Sequence, residues 1–275
     1  MKTAIIGCGY VGKTVAHLWK SKGFDVLATT TSPERVDELS ELVDRVAVLR
    51  GTEEDKLKAA LADREVALLC VGSKRGGNYR ETYLGTARAI AKILPQTSVK
   101  QLIYTSTCSI YGQTTGAWIN EEMPPNPSTE NGEIIEETEQ TLLEAASLQL
   151  SVCILRLGGI YGPGRTVESI YSRIAGKTMP GKGDEAANWI HLLDIIGAID
   201  WAKERRLSGI YNVVQDEIPT RRELIAEVCR RENLDPVQWD GDEEGGRRRN
   251  VRLSNQKLKS TGYQFEHPTF WPEST

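Results

Sequence analysis

Three glycines near the start of the chain have a spacing that could hold a phosphate group. The segment IIGCGYVG carries Gly7, Gly9 and Gly12 in the pattern GxGxxG, directly after an apolar run and before an amphipathic stretch. In this context Gly7 allows a tight turn, Gly9 lets a pyrophosphate approach the backbone, and Gly12 lets strand and helix pack closely. The backbone at Tyr10 and Val11, where the helix starts, would face the negative charge. The pattern predicts a dinucleotide site; the alternative is a plain strand–helix turn.

The next apolar run ends in residues that indicate which dinucleotide binds. An NAD-preferring site usually has an acidic residue about 20 residues beyond the glycines, where it accepts ribose hydroxyl groups. Here the expected positions hold Thr29 and Thr30. Thr30, Ser32 and Arg35 instead offer hydroxyl groups and a guanidinium, which suit a 2′-phosphate. We therefore predict NADP(H) over NAD(H); alternatively, Thr30 and Ser32 simply cap the following helix.

A loop after the fourth apolar run completes the predicted cofactor site. Val71, Gly72 and Ser73 end that run and would approach the cofactor through their backbone. The chain then continues with Lys74 and Arg75 into a basic, glycine-containing loop that could close over the cofactor or an acidic substrate. A solvated charged loop explains the same composition.

Strands and helices must position these residues, and the apolar pattern predicts where they lie. Mostly continuous apolar runs, typical of strands buried on both faces of a parallel sheet, occur at 3–7, 25–30, 45–49, 66–72, 101–107, 152–157 and 209–214. Helix patterns lie between them at 11–22, 33–41, 54–63, 79–94 and 130–148. This alternation predicts an α/β fold with a Rossmann-type doubly wound parallel sheet. We place a Rossmann domain at 1–164, to which 188–214 return, and a smaller, discontinuous substrate-binding lobe at 165–275.

The overall composition argues against several classes of protein. The 275 residues have a formal net charge of −4, with 39% hydrophobic and 26% charged residues, so we expect a globular protein without general attraction to nucleic acid or anionic membranes. Five cysteines, none in a CxxC pair, and no secretion-signal pattern favour free thiols in a reducing, cytoplasmic compartment. No apolar run approaches the roughly 20 residues of a membrane helix.

Several segments together resemble the short-chain dehydrogenase/reductase superfamily, in its extended, NAD-dependent epimerase/dehydratase type. They are YTSTCSIYG (104–112), LRLGGIYGPG (155–164), NWIHLLDI (188–195) and GIYNVV (209–214). The resemblance covers nearly the whole chain, and it implies a nicotinamide dinucleotide cofactor with oxidoreductase or epimerase-like chemistry. The glycine turn differs slightly, because that type usually reads GxxGxxG and this turn is one residue tighter.

The chain departs from that family at the residues that transfer protons. The family carries Tyr-x-x-x-Lys at the start of the helix after the fifth strand, where the Tyr is the general acid or base and the Lys lowers its pKa. In this chain Asn131 and Ile135 fall on those two positions, framed by Gly132 and Glu139. Asparagine does not ionise near neutral pH, and isoleucine offers no hydrogen bond. The resemblance is therefore to an atypical branch that lacks the pair.

Other hydroxyl groups could take over the missing role. The family's strand-five hydroxyl corresponds to Thr107, with Ser106 beside it, and either could polarise a substrate carbonyl. Tyr111, four residues further on, is the predicted proton donor, and Arg156 or Arg165 could supply the cation that such a tyrosine needs. Alternatively, Tyr111 packs beneath the second lobe.

The nucleophile and metal-ligand residue types favour structural roles. Cys108 has no histidine near it in the sequence, which favours a buried filler over a nucleophile. His191 and Asp194 match the family segment that usually stabilises the junction of the lobes. The three histidines, which include His17 and His267, show no metal-ligand spacing, so we predict no metal.

Two hypotheses for function follow. The first is an NADP(H)-dependent oxidoreductase or epimerase/dehydratase-like enzyme that acts on a small molecule, which could be anionic, with an unusual proton donor. The second is a non-catalytic NADP(H)-binding redox sensor or scaffold protein. We favour the enzyme because nicotinamide performs the hydride chemistry itself, so only proton transfer is missing.

Further expectations concern partners. The arginines at 247–249 and 252 could meet an anionic substrate group, although such runs usually face water. The resemblance implies a homodimer that pairs through the helices at 79–94 and 130–148. We expect no nucleic-acid partner and no membrane association.

Overall fold

Strands and helices alternate along the first half of the chain. The structure, a computed structural model, describes residues 1–73, 76–113, 115–242 and 249–271. The strands are β1 Lys2–Ile6, β2 Asp25–Thr30, β3 Arg45–Val48, β4 Val66–Leu69, β5 Gln101–Thr107, β6 Trp118–Ile119, β7 Ser151–Leu157, β8 Gly159–Tyr161, β9 Thr178–Met179, β10 Trp189–His191, β11 Gly209–Val213, β12 Gln238–Trp239 and β13 Arg252–Leu253. The α-helices are α1 Tyr10–Ser21, α2 Val36–Ser40, α3 Glu54–Leu61, α4 Thr86–Ile93, α5 Glu130–Glu144, α6 Val167–Tyr171, α7 Leu192–Arg205, α8 Arg221–Arg231 and α9 Gln256–Ser260.

Seven strands form the central sheet in the order β11-β7-β5-β4-β1-β2-β3. Strand β1 pairs in parallel with β2 on one side and with β4 on the other, so that Thr3 lies opposite both Val26 and Val66. The chain therefore adds β2 and β3 on one side of β1, then crosses to the other side of β1, where it adds β4 and the later strands of the sheet. Ligands of open α/β sheets bind outside the carboxyl ends of the strands at such a switch point. The predicted α/β fold with a doubly wound parallel sheet is confirmed.

The sheet is buried because its strands are apolar on both faces. Every residue of Val66–Leu69 is buried, and so are four of the five residues of Lys2–Ile6. Helices cover a parallel sheet on both sides, which is why these strands read as continuous apolar runs in the sequence. The predicted strand bounds at 25–30 and 101–107 agree with the structure.

The helices bury one face each. The predicted helix at 79–94 is a π-helical turn, Glu81–Gly85, that leads into α4, and it ends in a 3₁₀ turn at Leu94–Gln96. The spacing of Tyr83, Ala87, Ile90 and Leu94 predicts one apolar side of this helix; the last three are buried and Tyr83 is partly buried. No helix in the described part of the chain is long and apolar enough to cross a membrane.

The chain divides into two compact units. Unit 1 contains 1–110, 127–156 and 196–211, and unit 2 contains 111–126, 157–195 and 212–275. This division is drawn differently from the predicted domains, because 111–126, 157–164 and 188–195 lie in unit 2. The physical reason is local pairing within unit 2: Trp118 and Ile119 pair with β13, and β8 pairs with β10.

Unit 2 is built from short parallel strand pairs and an aromatic cluster. The side chain of Asn188 donates to the carbonyl of Val251 at 2.8 Å and accepts from the N–H of Leu253 at 2.9 Å. Tyr161 and Phe270 contact each other with ring centroids 5.1 Å apart, within a small core of their own. Hydrogen bonds between distant segments therefore hold together a unit that has little regular sheet.

Candidate functional site

The glycine turn after β1 is closely packed against the end of β4. Gly7 has a φ of +93°, and a Cβ there would lie 2.8 Å from the carbonyl oxygen of Cys70. A Cβ at Gly12 would lie 2.6 Å from the carbonyl oxygen of Gly7. The thiol of Cys70 donates to that same oxygen at 2.9 Å. Only glycine fits at Gly7 and Gly12, as the motif predicts.

The surroundings of the middle glycine, Gly9, differ from those of Gly7 and Gly12, and they show whether the turn has room for a dinucleotide. A Cβ at Gly9 would meet no atom within 4 Å, so protein packing does not explain the glycine. Gly9 is the N-cap of α1, whose first turn contains no acidic residue. Open space above the N–H groups of a helix start is the arrangement that holds a pyrophosphate. The predicted positions Tyr10 and Val11 lie in this first turn, and the turn fits the cofactor.

Threonines at the end of β2 hold the turn in place. The hydroxyl of Thr29 accepts the N–H of Gly7 at 3.1 Å, and the carbonyl of Thr29 accepts the N–H of Cys8 at 3.1 Å. The hydroxyl of Thr30 accepts the N–H of Ser32 at 3.1 Å, and both of these side chains are buried. Ser32 is the N-cap of a 3₁₀ turn at Pro33–Arg35 but makes no capping hydrogen bond through its side chain. The capping alternative therefore accounts for Thr30 as a turn residue and does not account for Ser32.

Two basic side chains converge on one carboxylate beside the glycine turn. Arg35 donates to Glu38 at 3.2 Å, and Lys13, in the first turn of α1, donates to the same carboxylate at 2.5 Å. Burial raises the pKa of Cys8 to about 11, and the charges of Arg35 and Lys13 oppose this shift. Both cations therefore lie within electrostatic reach of the residue between Gly7 and Gly9. Sequence reasoning found Arg35 but missed Lys13 and Glu38, because their meeting depends on how α1 and α2 pack.

The loop after β4 contacts Tyr83, which the sequence places on the apolar side of a helix and not in the cofactor site. Val71 and Ser73 are partly buried and Gly72 is exposed, at the carboxyl end of β4. The N–H of Ser73 donates to the hydroxyl oxygen of Tyr83 at 3.4 Å. The predicted basic residues Lys74 and Arg75 lie outside the described residues, as do 247 and 248 of the arginine run.

The two hydroxyl residues at the end of β5 point in different directions. Ser106 is buried and donates to the carboxylate of Glu139 at 2.5 Å. Thr107 is partly exposed, and its hydroxyl contacts the side chain of Ser109 at 3.2 Å and accepts the N–H of Ser109. Successive residues of a strand face opposite sides. Of the two, Thr107 is therefore the one that a substrate could reach.

A buried ion pair lies under this end of β5. Arg156 on β7 donates to both carboxylate oxygens of Glu139 on α5, at distances from 2.7 to 3.2 Å. Both side chains are at most 3% exposed. The carboxylate thus receives hydrogen bonds from Arg156 and Ser106, as a buried charge requires. Arg156, which the sequence suggested as a cation for Tyr111, has its charge paired here.

Helix α5 begins where the family would carry its proton-transfer pair. Thr129 is the N-cap and accepts the N–H of Gly132 at 3.1 Å. Asn131 lies in the first turn and is exposed, whereas Ile135 lies one turn later and is 1% exposed. The helix start is thus conventional, and the departure from the family is confined to side chains.

The predicted donor Tyr111 belongs to unit 2 and is fully buried. Its hydroxyl contacts the side-chain oxygen of Asn212 at 3.1 Å, and the N–H of Asn212 donates to Glu121 at 2.6 Å. Arg165, the second suggested cation, is exposed, and Cys108 is buried, as a filler would be. The role of Tyr111 as a proton donor stays a prediction, and its hydroxyl would first have to leave Asn212.

Histidine and aspartate side chains meet in unit 2 despite their distance in the sequence. Ligand-type atoms of His191, Asp194 and His267 lie within 4.8 Å of one another. However, the two imidazole rings stack with centroids 3.7 Å apart, and Asp194 accepts the N–H groups of Glu266 and His267 at 2.7 and 3.0 Å. These contacts tie the C-terminal segment to the start of α7, as a structural group would. The prediction of no metal stays a prediction.

Acid is expected to weaken this histidine cluster. Burial, and then the charge of His267, lowers the pKa of His191 to about 4, below the value of about 6.5 in an unfolded chain. The unfolded state therefore binds more protons between these values, and stability from His191 is complete above about pH 6.5 and is lost towards pH 4. The loss amounts to at most about 3 kcal/mol. We expect urea unfolding of His191→Gln to depend less on pH in this window than that of the wild type.

The exposed His17 provides the matched control for this pH dependence. We expect His17→Gln to keep the wild-type slope between pH 6.5 and 4. Burial raises the pKa of Asp194, which gives that carboxyl the opposite sign of pH dependence and makes the comparison of variants necessary. An unchanged slope in His191→Gln would contradict the assignment.

With this geometry in view, comparison with known proteins identifies the family. Residues 4–213 match the model of the NAD dependent epimerase/dehydratase family. The chain belongs to this family. The expected resemblance is confirmed, as is the expectation of an enzyme of the epimerase/dehydratase type, whose cofactor is a nicotinamide dinucleotide.

Individual proteins are similar to nearly the whole chain. Protein YeeZ of Escherichia coli K12 is 29% identical over 276 residues, which cover 97% of this chain and 96% of that protein. The UDP-glucose 4-epimerase of Thermotoga maritima, solved with UDP-glucose, has a TM-score of 0.80 at 18% identity and covers 97% of this chain and 94% of its own. The UDP-glucose 4-epimerase of Thermus thermophilus, solved with NAD, has a TM-score of 0.77 at 21% identity, with 97% and 94% covered. The two solved structures show a shared fold.

Proposed function

We propose that this family member is an NADP(H)-dependent oxidoreductase or epimerase/dehydratase-like enzyme that acts on a small molecule with an atypical proton donor. The observation that carries the proposal is the meeting of Lys13 and Arg35 beside the open glycine turn. Two cations at that point would suit a cofactor that carries a further phosphate.

The preference for NADP(H) over NAD(H) depends on Glu38. An acidic residue near the end of β2 could accept ribose hydroxyl groups and favour NAD(H). Here Glu38 lies in α2, and the hydrogen bonds of Lys13 and Arg35 lower its pKa and compensate its charge. A 2′-phosphate would compete with Glu38 for Arg35. Thr30, the last residue of β2, and Ser32, two residues later, would lie beside that phosphate.

Within this site, separate residues would bind the cofactor and polarise the substrate. When bound, the nicotinamide would supply or accept a hydride. Gly7, Gly9 and the start of α1 would hold the pyrophosphate, and Gly72 and Ser73 would border the nicotinamide half. Thr107 would polarise the substrate carbonyl, while Ser106 is held by Glu139 and would position the end of β5.

The proposal also includes a substrate class and an oligomeric state. The basic sequence segment that follows Ser73 would attract an anionic substrate, and nucleotide sugars belong to this chemical class. A homodimer would pair through α4 and α5, as the resemblance implies. Size-exclusion chromatography with light scattering would measure the oligomeric state directly.

A turnover screen against nucleotide sugars and small carbonyl compounds tests the proposed function. Cofactor absorbance would reveal net oxidation or reduction, and product chromatography would reveal epimerisation. Gly9→Ala is the matched inactive control, because its methyl group meets no protein atom within 4 Å and should fill the phosphate site without unfolding the chain. We expect turnover in the wild type and its loss in Gly9→Ala; turnover that persists in the variant would contradict the proposed cofactor site.

The second candidate is a non-catalytic NADP(H)-binding redox sensor or scaffold. Asn131 and Ile135, in place of the family's Tyr and Lys at the start of α5, favour it. A sensor should bind one redox form of the cofactor much more tightly than the other, whereas an enzyme that cycles between the forms should bind both.

A further inference from the structure

Two tyrosines pack together beside the loop that follows β4. The N–H of Ser73 donates to the hydroxyl oxygen of Tyr83 at 3.4 Å. Tyr79 packs against Tyr83 with ring centroids 4.4 Å apart. Both side chains are half-buried. The pair thus lies at the carboxyl end of a central strand, where ligands of such sheets bind.

The local helix geometry presents this pair towards the helix that has lost the family residues. Tyr83 lies in the π-helical turn Glu81–Gly85, which packs against α5. Arg80 and Arg88, on either side of that turn, both form ion pairs with Glu137 of α5. Single π-helical turns inside helices are uncommon and occur often at functional sites.

The hydroxyl groups of Tyr79 and Tyr83 have different roles. Burial, followed by interactions with Tyr83, raises the pKa of Tyr79 to about 12, so Tyr79 keeps its proton. The hydroxyl oxygen of Tyr83 accepts the N–H of Ser73. A phenol whose oxygen accepts a backbone N–H can still donate its own O–H proton to a ligand.

Electrostatic interactions connect the two tyrosines, Tyr79 and Tyr83, with Tyr104. The buried Tyr104 on β5 has its pKa raised well above its ordinary value by burial, with added contributions from the charges of Glu139, Tyr83 and Tyr79. These side chains are therefore electrostatic neighbours at the end of β5, where Ser106 also contacts Glu139.

We propose that Tyr83, with Tyr79 packed against it, is the proton donor of this site in place of the missing Tyr-x-x-x-Lys pair. The inference rests on the proposed function. In the reductive direction the O–H bond of Tyr83 would break and its proton would go to the substrate carbonyl oxygen, while the carbonyl carbon would take the hydride that a bound NADPH supplies. The Tyr83 phenolate would then be reprotonated from solvent, so that one hydride and one solvent proton are consumed for each carbonyl group reduced. The oxidative direction runs in reverse.

Nuclear magnetic resonance of the full-length protein labelled at tyrosine ¹³Cζ tests the placement of Tyr83 without a known substrate. The chain has nine tyrosines, so single Phe variants can assign the resonances. We expect the Tyr83 resonance to move on addition of NADP⁺ or NADPH and to differ between the two, because only the oxidised nicotinamide carries a positive charge. Tyr79→Phe should shift the Tyr83 resonance even without cofactor, and it provides a second assignment should Tyr83→Phe fail to fold.

The outcomes separate this proposal from the proposed function. If calorimetry shows that neither cofactor binds, the proposed function fails. If both bind and the Tyr83 resonance stays in place, the inference on Tyr83 alone is overturned. Tyr171→Phe, which alters an aromatic contact in unit 2, is the matched control and should leave the Tyr83 resonance unmoved.

With a substrate from the screen, turnover gives a second readout. Tyr83→Phe should lower kcat by about 100-fold or more while the affinity for NADPH changes by less than about 3-fold. Tyr79→Phe should have a smaller effect of the same kind. Loss of turnover in Tyr111→Phe together with wild-type turnover in Tyr83→Phe would overturn the proposal in favour of Tyr111.

Discussion

Arg156→Met is expected to lower the free energy of unfolding by about 3–5 kcal/mol, which is the cost of leaving a buried charge without its partner. Arg156 supplies most of the hydrogen bonds to Glu139, and both side chains are at most 3% exposed. Methionine fills a similar volume but cannot donate, so Glu139 would keep only the hydrogen bond from Ser106. Urea denaturation, with an unchanged slope as evidence of two-state unfolding, measures the effect.

A second arginine pair provides the matched control for this prediction. Arg88 also pairs with a carboxylate of α5, that of Glu137, but those side chains are 61% and 43% exposed. Arg88→Met should therefore cost less than about 1 kcal/mol. The double variant Arg156→Met with Glu139→Leu should recover much of the lost stability, because it removes the unpaired charge. A loss below about 1 kcal/mol in Arg156→Met would contradict the buried-pair account.

Arg35→Glu is expected to weaken NADPH binding by about 100-fold and to leave NADH binding within about 3-fold of the wild type. The variant removes a guanidinium that could bind the 2′-phosphate, and it adds a second carboxylate beside Glu38. The added negative charge at this point repels NADPH more strongly than NADH, because only NADPH carries the 2′-phosphate that would lie beside it. Calorimetric titration of each variant with the two cofactors measures the difference.

Two controls isolate the local effect of Arg35. Arg45→Glu changes the net charge equally, but Arg45 lies at the amino end of β3, where its exposed side chain is remote from the cofactor edge. Glu38→Gln should tighten NADPH binding by a few fold, because Lys13 and Arg35 lose their competing carboxylate. Equal losses for NADPH and NADH in Arg35→Glu would remove this residue from cofactor selection.

The fold could be predicted from the sequence because its strands are local apolar runs. The sheet strand at 25–30 agrees in both bounds, and the helix predicted at 130–148 is present as Glu130–Glu144. The predicted domain boundary differs from the division into compact units, which places 111–126 in unit 2. Within that segment Trp118 and Ile119 pair with Arg252 and Leu253, across more than a hundred residues of sequence. Such a two-residue strand pair carries no periodic signal in either segment.

The site was partly predictable for the same reason. The glycine turn is a local motif, so its packing against Cys70 agrees with the roles that spacing assigned to Gly7 and Gly12. By contrast, the contact of Glu139 with Arg156 and the contact of Ser73 with Tyr83 depend on how separate elements pack. A tyrosine inside an amphipathic helix reads as core in the sequence, and only the fold brings it beside the cofactor loop.

Calorimetric titration of the wild-type protein with NADPH, NADP⁺ and NADH decides whether the glycine turn with Lys13 and Arg35 is an NADP(H) site. We expect comparable affinities for NADPH and NADP⁺, both at least about 10-fold tighter than for NADH, as the charge of the 2′-phosphate requires. Tight binding of only one NADP redox form would favour a sensor over an enzyme. Absence of binding by all three cofactors, or tighter binding of NADH, would contradict the account.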